Sequence, residues 1–110
     1  MYKVKLSKAA KSDLKNAAFY IAYDLKNEAA ANRLLDETDK QLSALCDMPE
    51  CNPLVRDSFL ASKGVRIKII GKYLAFYVIR EDSKSITVLR FLHSRRDWAS
   101  ILTDEIIDNL

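Results

Sequence analysis

The only histidine of the chain, His93, is followed by Arg95 and Arg96 and then by the only tryptophan, Trp98. An imidazole moves protons near neutral pH, and guanidiniums hold anionic oxygens. Arg66 and Lys68 lie two apart in "VRIKII" (65–70), so they share one face of a strand. Side by side, two cations repel unless an anion such as a phosphate sits between them; the same pair also serves as a plain solvated face. In "SITVLRFLH" (85–93) strict alternation groups Ile86, Val88, Arg90 and Leu92 against Thr87, Leu89, Phe91 and His93. Arg90 is therefore expected to point away from His93. Asp97 is the one carboxylate beside His93, and it has competing uses as a helix cap or an arginine partner. Trp98 reads as the residue that docks a final helix on the sheet.

Much chemistry is missing. The chain has two glycines and no Gly-rich phosphate loop, nucleophile elbow, metal-binding His pair or acidic dyad. These absences argue strongly against nucleotide hydrolases, metalloenzymes and serine hydrolases. Cys46 and Cys51, with one distant histidine, fall short of a structural metal set and read as free thiols. No metal and no cofactor are expected.

The elements that must position these groups follow from periodicity. "YKVKL" (2–6) alternates and reads as a first strand. Ser7 is placed to cap a helix over about 8–25, whose apolar face carries Ala10, Leu14, Ala17 or Ala18, Ile21 and Leu25. After "KNEA", a second helix over about 28–46 places Ala31, Leu34, Leu35, Thr38, Leu42 and Leu45 in one stripe. The short break makes the two an antiparallel hairpin. Prolines 49 and 53 end it, and residues 47–64 form a long connection with a short helix near "VRDSFLAS". "VRIKII" (65–70), "YLAFYVI" (73–79) and "SITVLRFL" (85–92), joined by short turns, predict an antiparallel meander. Tyr73, Ala75, Tyr77 and Ile79 share a face, and the polar tyrosine tips assign it as the less buried one. Residues 97–109 return to helical spacing through Trp98, Ile101, Leu102, Glu105 and Ile106.

The fold expected is α+β in the order β-α-α-β-β-β-α: an N-terminal strand and an αα-hairpin packed on an antiparallel sheet, in a single domain over residues 1–110. The other sheet face, or its edge, is expected to stay open, with Arg66, Lys68, Arg95 and Arg96 around one basic hollow.

Charge is uneven. Residues 1–54 carry 8 basic and 8 acidic side chains, residues 55–98 carry 10 and 4, and the acidic Asp104, Glu105 and Asp108 follow. The basic segment fits an anionic partner, or strand edges guarded against aggregation. No run of about 18 apolar residues and no secretory pattern at the start are present, so no membrane span and a cytoplasmic location are expected.

The strand, the αα-hairpin, "NPLVRDSFLASKGVR", "VRIKIIGKYLAFYVI" and "ITVLRFLHSRRDW" together resemble the RelE/ParE superfamily of small bacterial toxins, from residue 2 to about 102. The resemblance implies a type II toxin–antitoxin module that arrests bacterial growth, with a cognate antitoxin protein as partner and operator DNA contacted mainly through that antitoxin. RelE-like members cut messenger RNA on the ribosome without a metal, by attack of a ribose 2′-OH on the adjacent phosphate. By that likeness Arg66, Lys68, His93 and Arg95 are the catalytic candidates. ParE-like members poison DNA gyrase by binding, and the αα-hairpin and C-terminal segment have been linked to that contact. RelE-like nucleases usually carry Arg directly after the tyrosine that begins the central strand; here Leu74 follows Tyr73. The likeness therefore leans to ParE, with mRNA endonuclease as the alternative. Under either, Arg66, Lys68, Tyr73, Arg90, Arg95, Arg96 and Trp98 are the binding candidates.

Overall fold

The computed structural model describes residues 2–108, with the side chains of residues 107 and 108 left aside. Strand β1 spans Lys3–Leu6, helix α1 Lys8–Phe19, helix α2 Glu28–Ala44, helix α3 Ser58–Ser62, strands β2 Arg66–Ile70, β3 Tyr73–Arg80 and β4 Ser85–His93, and helix α4 Trp98–Asp108. The expected order holds, with α3 in the long connection. The predicted end of the last helix, at residue 109, lies outside the described residues.

The sheet runs β1-β4-β3-β2. β2, β3 and β4 form the antiparallel meander, and β1 joins β4 in parallel, so the whole sheet is mixed. Gly71, with φ +61°, takes the left-handed conformation that the tight β2–β3 turn requires.

Ser7 caps α1: its hydroxyl accepts from the Ala10 N–H at 3.0 Å and donates to the Leu89 carbonyl at 2.8 Å. After Phe19 the helix widens into a π-helical turn over Tyr20–Asp24, where the Leu25 N–H reaches the Tyr20 carbonyl at 3.1 Å. Lys26, with φ +51°, breaks the rod, and Asn27 caps α2 by accepting from the Ala30 N–H.

Two cores sandwich the sheet. On the hairpin side, Ala10, Leu42 and Leu45 bury Ile70, Ala75, Tyr77, Ile86, Val88 and Phe91. On the other side, Leu60 of α3 and Leu102 of α4, with Val55 and Val65, bury Leu74, Phe76 and Leu92. This corrects the expectation of an open second face: the apolar stripe of α4 lies on it, with Trp98 against Phe76 at 5.2 Å between ring centroids. Tyr77 is corrected too. It is fully buried on the hairpin side, because its hydroxyl donates to the Pro49 carbonyl at 2.6 Å and accepts from Asn52 at 3.3 Å.

Alternation along β4 is broken by a bulge. Pairing runs Phe76 with Arg90 and then Tyr77 with Val88, leaving Leu89 extra. Ile86 and Val88 therefore share a face with Phe91 and His93, while Arg90 and Leu92 take the other. Arg90 and His93 still fall on opposite faces.

Candidate functional site

At the end of the sheet that carries the β2–β3 turn, α1 and its π-helical extension stand over the last residues of β4. Between them is a cleft of about 410 Å³ lined by Asp13, Asn16, Tyr20, Tyr73, His93 and Arg96, among others. Tyr73 is directly opposite His93 in the β3–β4 register. Its ring stacks on Phe91 (centroids 5.1 Å, planes 8° apart) and meets the His93 imidazole edge-on at 5.2 Å. Burial, and the neighbouring Tyr20 phenol to a lesser degree, push the Tyr73 hydroxyl above its ordinary value, so it stays a neutral donor.

The backbone past β4 orients His93. The Arg95 N–H donates to His93 Nδ1 at 3.1 Å, and the Arg96 N–H donates to the His93 carbonyl at 2.9 Å. With Nδ1 accepting, the proton of a neutral ring sits on Nε2. The described cleft thus gathers an imidazole, two phenols and a guanidinium beside the Asp13 carboxylate, which is neutralised by Arg90, a set that suits a hydrogen-bond-accepting ligand.

The predicted residues divide between this cleft and other work. Tyr73, His93 and Arg96 line it together. Arg66 lies on β2, where its guanidinium donates to the Asn52 carbonyl at 2.6 Å and reaches the Glu50 carbonyl at 3.5 Å. It therefore clamps the loop that Tyr77 also holds. Lys68 shares the hairpin-side face, opposite Ala75, half-buried. Arg95 is exposed and does not line the cleft. Of Arg66, Lys68, Arg95 and Arg96, the four expected around one basic hollow, Arg96 alone lines this cleft.

Arg90 is committed elsewhere. Its Nε and one terminal nitrogen donate to the two Asp13 oxygens at 2.6 and 2.8 Å, and Glu105 of α4 lies 3.7 Å from its other nitrogen. The Asp13 hydrogen bonds push the guanidinium further above its usual value, against the opposing effect of burial. Trp98 packs in the second core, as expected of a docking residue.

Sequence reasoning missed Asp13, Asn16 and Tyr20. Tyr20 lies in the π-helical turn, where the 3.6-residue period no longer tells which way a side chain faces. Asp13 had a signal: a carboxylate among the inward positions of an amphipathic helix requires a buried partner.

Cys46 and Cys51 are free thiols, the second exposed. Among the described residues no group of three or more His, Cys, Asp or Glu is placed to hold a metal ion, and no helix is long and apolar enough to cross a membrane.

A second hollow, about 490 Å³, lies on the opposite side of the sheet beside α4. Lys63, Arg80 and Glu105 flank Val78, Leu89 and Ile106 there.

Comparison with known proteins agrees with this architecture. A chain of the chromosomal ParDE TA system from P. aeruginosa matches with a TM-score of 0.69 at 18% identity, covering 84% of this chain and 96% of that one. A chain of the RelBE2 toxin–antitoxin complex from Mycobacterium tuberculosis matches with a TM-score of 0.55 at 22% identity, again covering 84% and 96%. At these identities both matches speak to the fold. No curated protein matches significantly by sequence. The family model of the ParE toxin of the type II toxin–antitoxin system parDE matches residues 4–98, from β1 to the start of α4. The chain belongs to the ParE toxin family of type II toxin–antitoxin systems.

Proposed function

We propose that this toxin arrests growth by binding DNA gyrase and performs no chemistry of its own. The observation that carries this reading is the use made of the cations. Arg66 holds loop carbonyls and Arg90 holds Asp13, so two of the guanidiniums available to grip a phosphate are committed to the fold. Leu74, where nuclease relatives usually have arginine, is buried in the second core opposite Leu92. Stabilising a crowded phosphorane needs preorganised donors around one point, and these two guanidiniums already donate to protein carbonyls and a carboxylate.

The partner that neutralises the toxin is its cognate antitoxin. An amphipathic segment suits the hollow beside α4, its acidic groups toward Lys63 and Arg80 and its apolar face on Val78, Leu89 and Ile106, away from the Glu105 carboxylate that lines the same hollow. Operator DNA is reached through that antitoxin.

The mRNA-endonuclease reading keeps one specific support. His93, with Nδ1 occupied, presents Nε2–H beside Tyr73 and Arg96, an arrangement capable of proton transfer. A supercoiling assay separates the two. Purified toxin titrated into gyrase, relaxed plasmid and ATP inhibits supercoiling under the binding reading. Uninhibited supercoiling, together with cleavage of messenger RNA on translating ribosomes, overturns it.

A further inference from the structure

The outer face of the helical hairpin, away from the cleft, carries an apolar furrow between α1 and α2. Two adjoining hollows of about 300 Å³ each form it, sharing Leu6, Leu14 and Leu35. Phe19 and Leu35 at its rim are 49% and 38% exposed, so the furrow opens to solvent through apolar side chains. Its two lips differ in sign. Lys11 and Lys15 of α1 border one hollow, and Asp36 and Asp39 of α2 border the other. Among the described residues neither lysine pairs with either aspartate across the furrow; the ion pairs seen there join Lys84 to Glu81 and Arg90 to Asp13 and Glu105. Thr38, 1% exposed, lines the furrow wall with its hydroxyl lacking a partner.

We infer that this furrow is a dimerisation face whose occupant is a second copy of the chain. The argument is charge symmetry. A uniformly acidic helix laid in the furrow would satisfy the lysines and be repelled by the aspartates, and a basic one the reverse. A partner must offer acid opposite α1 and base opposite α2. A two-fold axis along the furrow does this without further design, because it sets α1 of each copy on α2 of the other. Lys11 and Lys15 then face Asp36 and Asp39 twice over, at the rim of a joined apolar seam made by Leu14, Ala18, Phe19 and Leu35 from both copies. Interfaces of this kind have an apolar centre and a charged rim that sets register and partner.

The test uses the full chain, made in a cell-free system, and two charge-reversed variants: K11E/K15E and D36K/D39K. All four positions are exposed and on helices, so the variants retain the fold, which circular dichroism checks. Sedimentation velocity on the wild type, at concentrations up to about 1 mM, shows a monomer–dimer equilibrium that weakens with added salt. Each variant alone sets like charges against each other and dissociates at least about tenfold more readily. Mixed in equal amounts, the two variants restore the dimer as a heterodimer, since an all-acidic furrow then meets an all-basic one. A wild type that stays monomeric over this range overturns the inference. So do variants that dimerise as well alone as the wild type, or a mixture that fails to associate. Variants that instead lose antitoxin binding or gyrase inhibition while the wild type is monomeric would assign the furrow to another partner, which also overturns it.

Discussion

Arg90 and Asp13 are joined by two parallel N–H···O bonds at 2.6 and 2.8 Å, just past the point where β1 ends. The same Asp13 carboxylate accepts the Phe91 N–H at 3.0 Å, an edge group of β4 that β1 no longer covers. One carboxylate thus closes the sheet edge and fixes α1 over the cleft. The side chains are 18% and 13% exposed, so solvent screens the pair only in part. Asp13→Ala strands a largely buried guanidinium and an unpaired N–H, and is expected to cost about 3 kcal/mol, at the low end for a broken buried pair. Asp13→Asn, which keeps an acceptor, is expected to cost less. Urea unfolding of both variants checks the order.

Tyr77 predicts a hydroxyl-specific effect. Its O–H satisfies the Pro49 carbonyl and takes a bond from Asn52, tying the loop that Arg66 also clamps. Tyr77→Phe keeps the ring in the core and removes only these bonds. The expected loss is about 1–3 kcal/mol, measured by urea unfolding. Faster proteolysis around residues 49–53 should accompany it.

Glu81 gives the pH dependence. Its two carboxylate oxygens share the single Tyr2 hydroxyl proton, at 2.9 and 2.8 Å, and one of them pairs with Lys84 at 3.3 Å. The Tyr2 bond, then the Lys84 bond, hold its pKa below the usual carboxylate range. A lowered folded-state value means the tether stabilises the fold above the unfolded-state pKa and is lost as pH falls through the folded one. Wild type and Glu81→Gln should therefore differ near neutral pH and converge in acid. A difference that grows on acidification contradicts the assignment.

His93 and Arg95 separate chemistry from binding. Removing a general acid or base costs about 10²–10⁴ in rate. A toxin that only binds keeps its growth arrest in His93→Ala, and Arg95→Ala weakens it no further than loss of one exposed cation from a contact surface, scored by colony counts after induction. Abolished arrest in His93→Ala, with toxin level and fold unchanged, would move the function to the nuclease branch.

The element order was legible because its signals are local. Ser7 caps where a cap was expected, and the apolar periods of both long helices bury Ala10, Ala31, Leu42 and Leu45. What escaped depends on contacts distant in sequence. The bulge at Leu89 arises where its carbonyl meets the Ser7 hydroxyl and β1 gives way to Asp13, relations across about eighty residues. Tyr77 is buried because its partners lie 28 and 25 residues back. The stripe of α4 was read, but not the face it covers, since a meander offers two. For the site, the sequence brought His93, Tyr73 and Arg96 forward, and the structure sets them in one cleft. It could not show that Arg66 and Arg90 spend their donors on Asn52 and Asp13, because a guanidinium's partner is a matter of tertiary placement.

The central claim is that this toxin stops growth by occupying gyrase. The most direct measurement is a short induction of the toxin in bacteria, with DNA-damage signalling and transcript ends followed in the same culture. The account predicts a DNA-damage response with transcripts left whole. New cuts within translated messages, with no DNA-damage response, would contradict it.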